Sequence, residues 1–290
     1  MHVNNSLSLS LVAIWLVVLG CQPAKDKASV KSSLGKVDGR LREVSGLAAS
    51  IANPGMLWAI NDSGNPAEVF LIDEQAQTKM ICKLVNGVNR DWEDIAIGAG
   101  PDSTRNYVYV ADIGDNWGHH EFKYIYRFAE PTLTTQKEID IDQFEKFVLK
   151  MPDGARDAET ILIDPNDHNF YLISKREDSV GLYLAAYPFA KDTVELQKIS
   201  TLPFSKIVAG SITRDGTEVL LKDYDRIYYW KRTAHEKLSD VLKRKSEWLP
   251  YERERQGEAI TWSNSGDKFF TLSEGTIWTS SELFAYKFKR

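Results

Sequence analysis

Short apolar runs typical of β-strands recur along the chain between polar segments, and two short motifs recur with these runs five times in the same order. The first motif has an apolar residue two places after a reference position, and its copies are Ser45-Gly46-Leu47, Glu93-Asp94-Ile95, Glu159-Thr160-Ile161, Gly210-Ser211-Ile212 and Glu258-Ala259-Ile260. The second motif is an aliphatic residue followed by an aromatic one, and its copies are Val69-Phe70, Ile125-Tyr126, Leu182-Tyr183, Ile227-Tyr228 and Leu283-Phe284. The reference positions are 48, 66, 51 and 48 residues apart. This spacing is close to the ~40–50 residues of a propeller blade.

Each unit also holds two further β-rich runs, and turn residues such as Asn-Pro-Gly at 53–55 and Asn-Ser-Gly at 264–266 separate the runs. Four short strands per unit predict an all-β fold, a β-propeller of five four-stranded blades. Six blades stay possible because the second unit is long and its stretch Pro131 to Asp142 has room for extra structure. Helical periodicity appears only around Ala234 to Lys245.

The two ends of the repeat region predict how the ring closes. The fifth unit stops at Arg290 after its third strand, whereas the segment Ser29 to Val37 has no blade of its own. A strand from this segment would complete the last blade and cover its open edge. We therefore expect one propeller domain, residues 36–290, closed by an N-terminal strand.

The first residues read as a targeting segment. Leu7 to Leu19 form an apolar run of 13 residues, shorter than the ~20 that span a bilayer. The run ends in Val18-Leu19-Gly20-Cys21, which resembles the lipobox of bacterial lipoproteins, although no Lys or Arg precedes it. The resemblance implies a signal peptide at 1–20, a lipidated Cys21, a linker over 21–35, and export to a membrane-anchored position, with Gln22 after the cysteine favouring the bacterial outer membrane. An ordinary cleaved secretory signal or a buried strand is the alternative.

Composition and charge narrow the class of protein. Hydrophobic residues make up 43% of the chain and charged residues 27%, which excludes a disordered or collagen-like chain. The net charge of −5 argues against a nucleic-acid partner. Two cysteines are too few for a disulfide framework, and Cys82 lies in the apolar stretch 80–84, where a buried strand thiol is expected.

Charged residues collect where the inner strands begin and in the loops between second and third strands, two sets that meet around the axial opening of a propeller. The candidate ligand- or metal-binding residues are Asp62, Glu93, Asp112, Asp115, Glu159, Glu258 and Glu274. Their candidate charge partners are Arg42, Arg90, Arg156 and Arg255. Two interpretations stay open: arginines and carboxylates neutralise each other around the ring, or carboxylates and loop oxygens hold a hard cation such as Ca²⁺.

Local catalytic signatures do not occur in the sequence: it has no G-x-S-x-G, no H-E-x-x-H, no P-loop and no G-x-G-x-x-G. No catalytic residue is predicted. An enzyme whose groups come together from separate blades is still compatible with this pattern.

The order of several motifs resembles a family of uncharacterised bacterial secreted β-propeller proteins over residues 42–290. The motifs are Asn61-Asp62-Ser63-Gly64, Asp91-Trp92-Glu93-Asp94-Ile95-Ala96, Ala111-Asp112-Ile113-Gly114-Asp115-Asn116, Ile125-Tyr126-Arg127-Phe128-Ala129-Glu130-Pro131 and Asp157-Ala158-Glu159. The D-x-E strand starts are also loosely similar to those of phytase-like and esterase-like propellers, which bind Ca²⁺ at acidic clusters. The chain departs from them at Gly210, where the fourth unit lacks the acid.

Together these observations predict a lipid-anchored propeller of the cell envelope that binds a ligand or partner at an acidic axial face. The partner would be a protein or a small molecule, and the membrane contact would run through the lipid alone. The alternative is a calcium-assisted phosphoesterase or esterase-like hydrolase.

Overall fold

The computed structural model describes residues 27–189, 193–233, 235–275 and 280–290, which form five sheets arranged as the blades of a propeller. The strands of the first two blades, from the inside outward, are β2 (Val44–Ala49), β3 (Met56–Asn61), β4 (Glu68–Asp73) and β5 (Thr78–Leu84), then β6 (Trp92–Gly98), β7 (Tyr107–Asp112), β8 (Phe122–Ala129) and β10 (Glu145–Lys150). Those of the third and fourth are β11 (Ala158–Ile163), β12 (Phe170–Ser174), β13 (Val180–Ala185) and β15 (Gln197–Leu202), then β16 (Ala209–Ile212), β17 (Glu218–Lys222), β18 (Ile227–Lys231) and β19 (Glu247–Leu249). The fifth consists of β20 (Gly257–Trp262), β21 (Lys268–Ser273), β22 (Glu282–Lys287) and β1 (Ser32–Lys36).

The last blade confirms the predicted closure. Its outer strand β1 comes from the N-terminal part of the chain and pairs antiparallel with β22, with Ser32 opposite Ala285 and Lys36 opposite Glu282. A further bridge joins Ala28 to Phe288. Strand β1 thus begins inside the segment 21–35 that was expected to be a linker.

Two short strands explain the extra length of the second and third units. β9 (Glu138–Ile141) lies within the stretch Pro131 to Asp142, and it adds to the outer edge of the first blade by pairing parallel with β5. β14 (Thr193–Glu195) adds to the second blade in the same way, parallel to β10. The blade number is therefore five, and the additional residues cover sheet edges that would otherwise be open.

The apolar core is divided into five clusters, and each cluster lies between two neighbouring blades. Between the first and second blades, for example, Trp58 and Met80 pack against Trp92 and Tyr126. Both faces of each sheet are therefore buried, which explains why the strands read as nearly continuous apolar runs. Cys82 is a free, fully buried thiol in this cluster, as expected, and burial raises its pKa to about 12.

One helix, α1 (Leu238–Lys243), lies between β18 and β19 in the segment where helical periodicity was predicted. Its side chains Leu238, Val241 and Leu242 are buried against the third and fourth blades. Within the described ranges, no helix is long and apolar enough to cross a membrane.

Candidate functional site

The inner strands of the five blades lie side by side around the axis and begin at the same end of the ring. At four of these beginnings the pairing with the second strand shifts by one residue, and the extra residue is Ser45, Glu93, Glu159 or Glu258. β16 shows no such shift at Gly210. A β-bulge redirects the side chain of the extra residue. The reference position of the sequence repeat is therefore the bulge, and three bulges carry a glutamate.

Three carboxyl groups meet beside the second of these bulges. Asp62 follows the end of β3, Asp91 precedes β6, and Glu93 is the bulged residue; one oxygen from each lies within 4.8 Å of the others. We call these three residues the acidic cluster. One oxygen of Glu93 also lies within 4.8 Å of one oxygen each of Asp157 and Glu159, which belong to the neighbouring blade.

The neighbouring carboxylates already have cationic partners. Lys175 forms an ion pair with Glu159, and Arg176 Nε lies 2.6 Å from Asp157 Oδ2. Across the described part of the chain, no Lys, Arg or His nitrogen lies within 4.0 Å of a carboxylate oxygen of the acidic cluster. The negative charge is therefore balanced on the Asp157–Glu159 side and unbalanced at the cluster.

Glu93 is the least satisfied member of the cluster. Its side chain is only 5% exposed, and within the described residues its carboxylate neither accepts a hydrogen bond nor forms an ion pair. A buried carboxylate without a partner is costly. Burial, followed by the charges of Asp62 and Asp91, therefore raises the pKa of Glu93 well above its ordinary value.

The other two members respond to the same environment. Burial raises the pKa of Asp62 to about 6, with Asp91 and Glu258 adding to the shift, and burial also raises the pKa of Asp91. One carboxyl oxygen of Asp62 lies within 4.8 Å of one of Asp91, and each group influences the pKa of the other. Carboxylates this close either share protons or bind a cation.

A second pair of acids extends the negative region toward the fifth blade. Burial and the charge of Glu258 raise the pKa of Glu274 to about 9. Tyr224 donates a hydrogen bond of 2.6 Å to Glu258, and the Gln256 side chain donates one of 2.6 Å to Glu274. Asp62 also contributes to the shift at Glu274, so the two acidic groups interact.

Two of the predicted acids have structural roles nearby. Asp112 is buried, with Arg90 Nε 3.4 Å from its Oδ1, and it accepts a hydrogen bond of 3.2 Å from the Asp91 amide. Although burial opposes it, hydrogen bonds from the His119 and His120 amides and from Lys123 lower the pKa of Asp115 to about 2. Neither residue belongs to the acidic cluster.

Among the described residues, none of the four predicted arginine partners forms an ion pair with a bulged glutamate. Arg42 donates to the Gly39 carbonyl at 2.7 Å, and Arg156 NH1 lies 2.6 Å from Glu177. Arg90 pairs with Asp112. No ion pair or side-chain hydrogen bond of Arg255 occurs among the described residues. Mutual neutralisation by these arginines therefore does not account for the acidic cluster.

The prediction from sequence omitted three residues that the structure places at this end of the ring. They are Lys175 and the first acids of the two D-x-E strand starts, Asp91 and Asp157. The repeated D-x-E motif was the signal for both aspartates. Gly114 was also missed: a Cβ on this residue would overlap the Glu93 and Asp91 carboxylates. Of the predicted acids, the structure places Asp62 beside Glu93, and Glu93 beside Glu159.

Comparison with known proteins yields fold-level similarity alone. No family model and no curated protein matches the sequence, so the proposed kinship with a bacterial propeller family stays a prediction. The RRP9 WD40 repeats align with a TM-score of 0.46 at 10% identity, over 92% of this chain and 99% of theirs. The Kuenenia stuttgartiensis hydrazine synthase aligns with a TM-score of 0.44 at 10% identity, over 83% of this chain and 82% of its own.

Proposed function

We propose that the chain is a binding module whose acidic cluster holds Ca²⁺ and presents it to a ligand or partner at this end of the ring. The observation that carries the proposal is the buried Glu93 carboxylate, which has no hydrogen-bond partner among the described residues and faces Asp62 and Asp91. A divalent cation would supply the missing partner and favour the ionised form of all three acids. A site whose ligands are all oxygen atoms suits Ca²⁺ better than it suits a softer metal, which prefers nitrogen or sulfur ligands.

The cluster leaves room for a ligand on the cation. Ca²⁺ takes six to eight oxygen ligands, whereas the cluster provides three carboxyl groups. The remaining positions would be open to water or to oxygen atoms of a ligand. Trp117, 83% exposed, lies in the same loop as Gly114 and supplies an aromatic contact of the kind that is common in interfaces.

Calcium binding is tested by thermal unfolding, because a cation that binds only the folded state stabilises it. At a calcium concentration a hundredfold above Kd, we expect Tm to rise by about 5–10 °C. The double variant Asp62→Asn/Asp91→Asn should lose this rise. The matched control is Asp178→Asn, an exposed acid in a loop at the same end of the ring, which should respond as the wild type does. A wild-type Tm that does not move with calcium, or an equal rise in the double variant, contradicts the proposal.

A second candidate is a calcium-assisted hydrolase of phosphoesters or esters. The observation in its favour is Glu274: with its pKa at about 9, this carboxyl group is protonated at neutral pH beside the acidic cluster. A protonated carboxyl group is suited to act as a general acid. Calcium-dependent phosphate release from p-nitrophenyl phosphate that disappears in Glu274→Gln would support this candidate. If no calcium-dependent hydrolysis is found with several esters, the hydrolase candidate is contradicted and the binding module remains.

We also propose that Cys21 anchors the chain to a membrane of the cell envelope. The support is the sequence Val18-Leu19-Gly20-Cys21 after an apolar run of 13 residues. These residues lie outside the described ranges. Cys21→Ser should move the protein from the membrane fraction to the soluble fraction, and identical fractionation of variant and wild type would contradict anchoring.

A further inference from the structure

The ring has a cavity at the end opposite the acidic cluster. It has a volume of about 460 Å³ and is lined by the last residues of all five inner strands. Strand β6 shows the separation, because Glu93 lies at its start and Gly98 lines the cavity at its end, about 17 Å away at the rise of a β-strand. The volume falls within the ~300–1,000 Å³ that is typical of small-molecule sites.

The wall of this cavity is partly apolar and its rim is basic. The partly exposed Ala49, Ile97 and Ile212 contribute apolar surface from three different blades, and Ser211 adds a polar group. The exposed Arg105 and Arg214 stand at the rim, and the exposed His168 of the third blade also lines the cavity. Among the described lining residues, none is acidic.

The two rim arginines are not engaged elsewhere. The acids nearest to them in sequence bind other groups: Asp102 accepts hydrogen bonds from Thr104 at 2.7 and 2.9 Å, and Asp215 lies 2.8 Å from Arg290. Considering every residue that the structure describes, neither guanidinium group forms an ion pair or a hydrogen bond. Both are exposed at the opening and available to an anion.

We propose that this basic-rimmed cavity binds a small organic anion with a compact apolar body. The carboxylate or a similar anionic group contacts Arg105 and Arg214, whose guanidinium forks match the geometry of an oxyanion. The apolar body packs into the wall formed by the inner strands. This site is independent of the acidic cluster and does not rest on calcium binding.

The test uses 2-naphthoate as the probe and isothermal titration calorimetry on the full chain. We expect saturable binding of 2-naphthoate, and binding at least about tenfold weaker for acetate, which lacks the apolar body, and for 2-naphthamide, which lacks the charge. The variant Arg105→Gln/Arg214→Gln should bind 2-naphthoate about tenfold more weakly or worse, with 2-naphthamide unchanged. The matched control Arg253→Gln changes an exposed arginine outside the cavity and should leave binding unaltered.

Three results would overturn the proposal. They are no saturable binding of 2-naphthoate, equal binding by the double variant and the wild type, or acetate binding as tight as 2-naphthoate. Thermal unfolding of each variant confirms that these surface substitutions leave the fold intact. Repeating the titration in EDTA and in calcium separates the two sites, because naphthoate binding should be the same in both.

Discussion

Gly114 lies directly against the carboxylate of Glu93, so closely that a Cβ at position 114 would overlap Glu93 Oε1. The same Cβ would overlap the Asp91 carboxylate. The loop after β7 therefore approaches two members of the acidic cluster with its backbone. Such a close approach is possible only for glycine.

This contact predicts the outcome of Gly114→Ala. The added methyl group would push the Glu93 and Asp91 carboxylates away from their positions, so the calcium-dependent rise in Tm should shrink or disappear. The matched control is Gly39→Ala, because nothing lies within 4 Å of a Cβ at that position. Differential scanning fluorimetry with and without calcium measures both, and an unchanged calcium response in Gly114→Ala would show that the cation, if bound, lies elsewhere.

The raised pKa values predict how stability depends on pH without calcium. An acid whose pKa is higher in the folded state binds its proton more tightly there, so stability falls as pH rises from the unfolded to the folded pKa. As pH rises from 5 to 8, Glu274, with a folded pKa of about 9, lowers the free energy of unfolding throughout, whereas Asp62, with one of about 6, lowers it only up to about pH 6. We expect Tm to fall across this interval.

Two comparisons check the assignment of this pH effect. Glu274→Gln removes one of the carboxyl groups with a raised pKa and should flatten the fall in Tm, whereas Asp178→Asn should not. Saturating calcium favours the ionised carboxylates, so the fall between pH 5 and 8 should vanish or reverse. A Tm that rises with pH in EDTA would contradict the raised pKa values.

Closure of the ring predicts the effect of deleting residues 29–37. The deletion removes β1, leaves the backbone edge of β22 unpaired, and uncovers Leu283 and Ala285. The buried Val37 alone is worth about 1.5–3 kcal/mol. We expect Tm to fall by more than about 5 °C relative to the chain without the deletion. Equal melting temperatures with and without residues 29–37 would contradict the closure.

A buried ion pair between the third and fourth blades predicts a large single-site effect. Both guanidinium nitrogens of Arg232 contact the Asp164 carboxylate, at 2.7 and 2.8 Å, and both side chains are at most 2% exposed. Arg232→Met leaves the buried carboxylate without its partner and should cost about 3–5 kcal/mol in denaturant unfolding. The exposed pair of Arg253 and Asp225 provides the control, because Arg253→Met should change stability by less than about 1 kcal/mol. Equal effects of the two substitutions would show that the Arg232 pair is not structurally important.

The repeated motifs of the sequence determined the architecture. Five copies of two interleaved patterns set the number of inner strands, and the unpaired segment before the first copy indicated the closing strand. These features can be read from the sequence because strand pairing imposes a period on apolar residues. A unit with three strands instead of four then shows that one strand must come from elsewhere in the chain. The position of β9 was not readable, because β9 is an extra strand beyond the four of a blade and no gap in the repeat indicated its pairing with β5.

The tertiary structure decided which charges are balanced. Glu93, Glu159 and Glu258 occupy equivalent places in the repeat, yet Glu159 pairs with Lys175, Glu258 accepts from Tyr224, and Glu93 has no such partner among the described residues. Each partner comes from a loop between second and third strands, and those loops differ in length and composition from blade to blade. Charge balance depends on distances of a few ångströms between such loops, whereas the repeat specifies only which residues begin the inner strands.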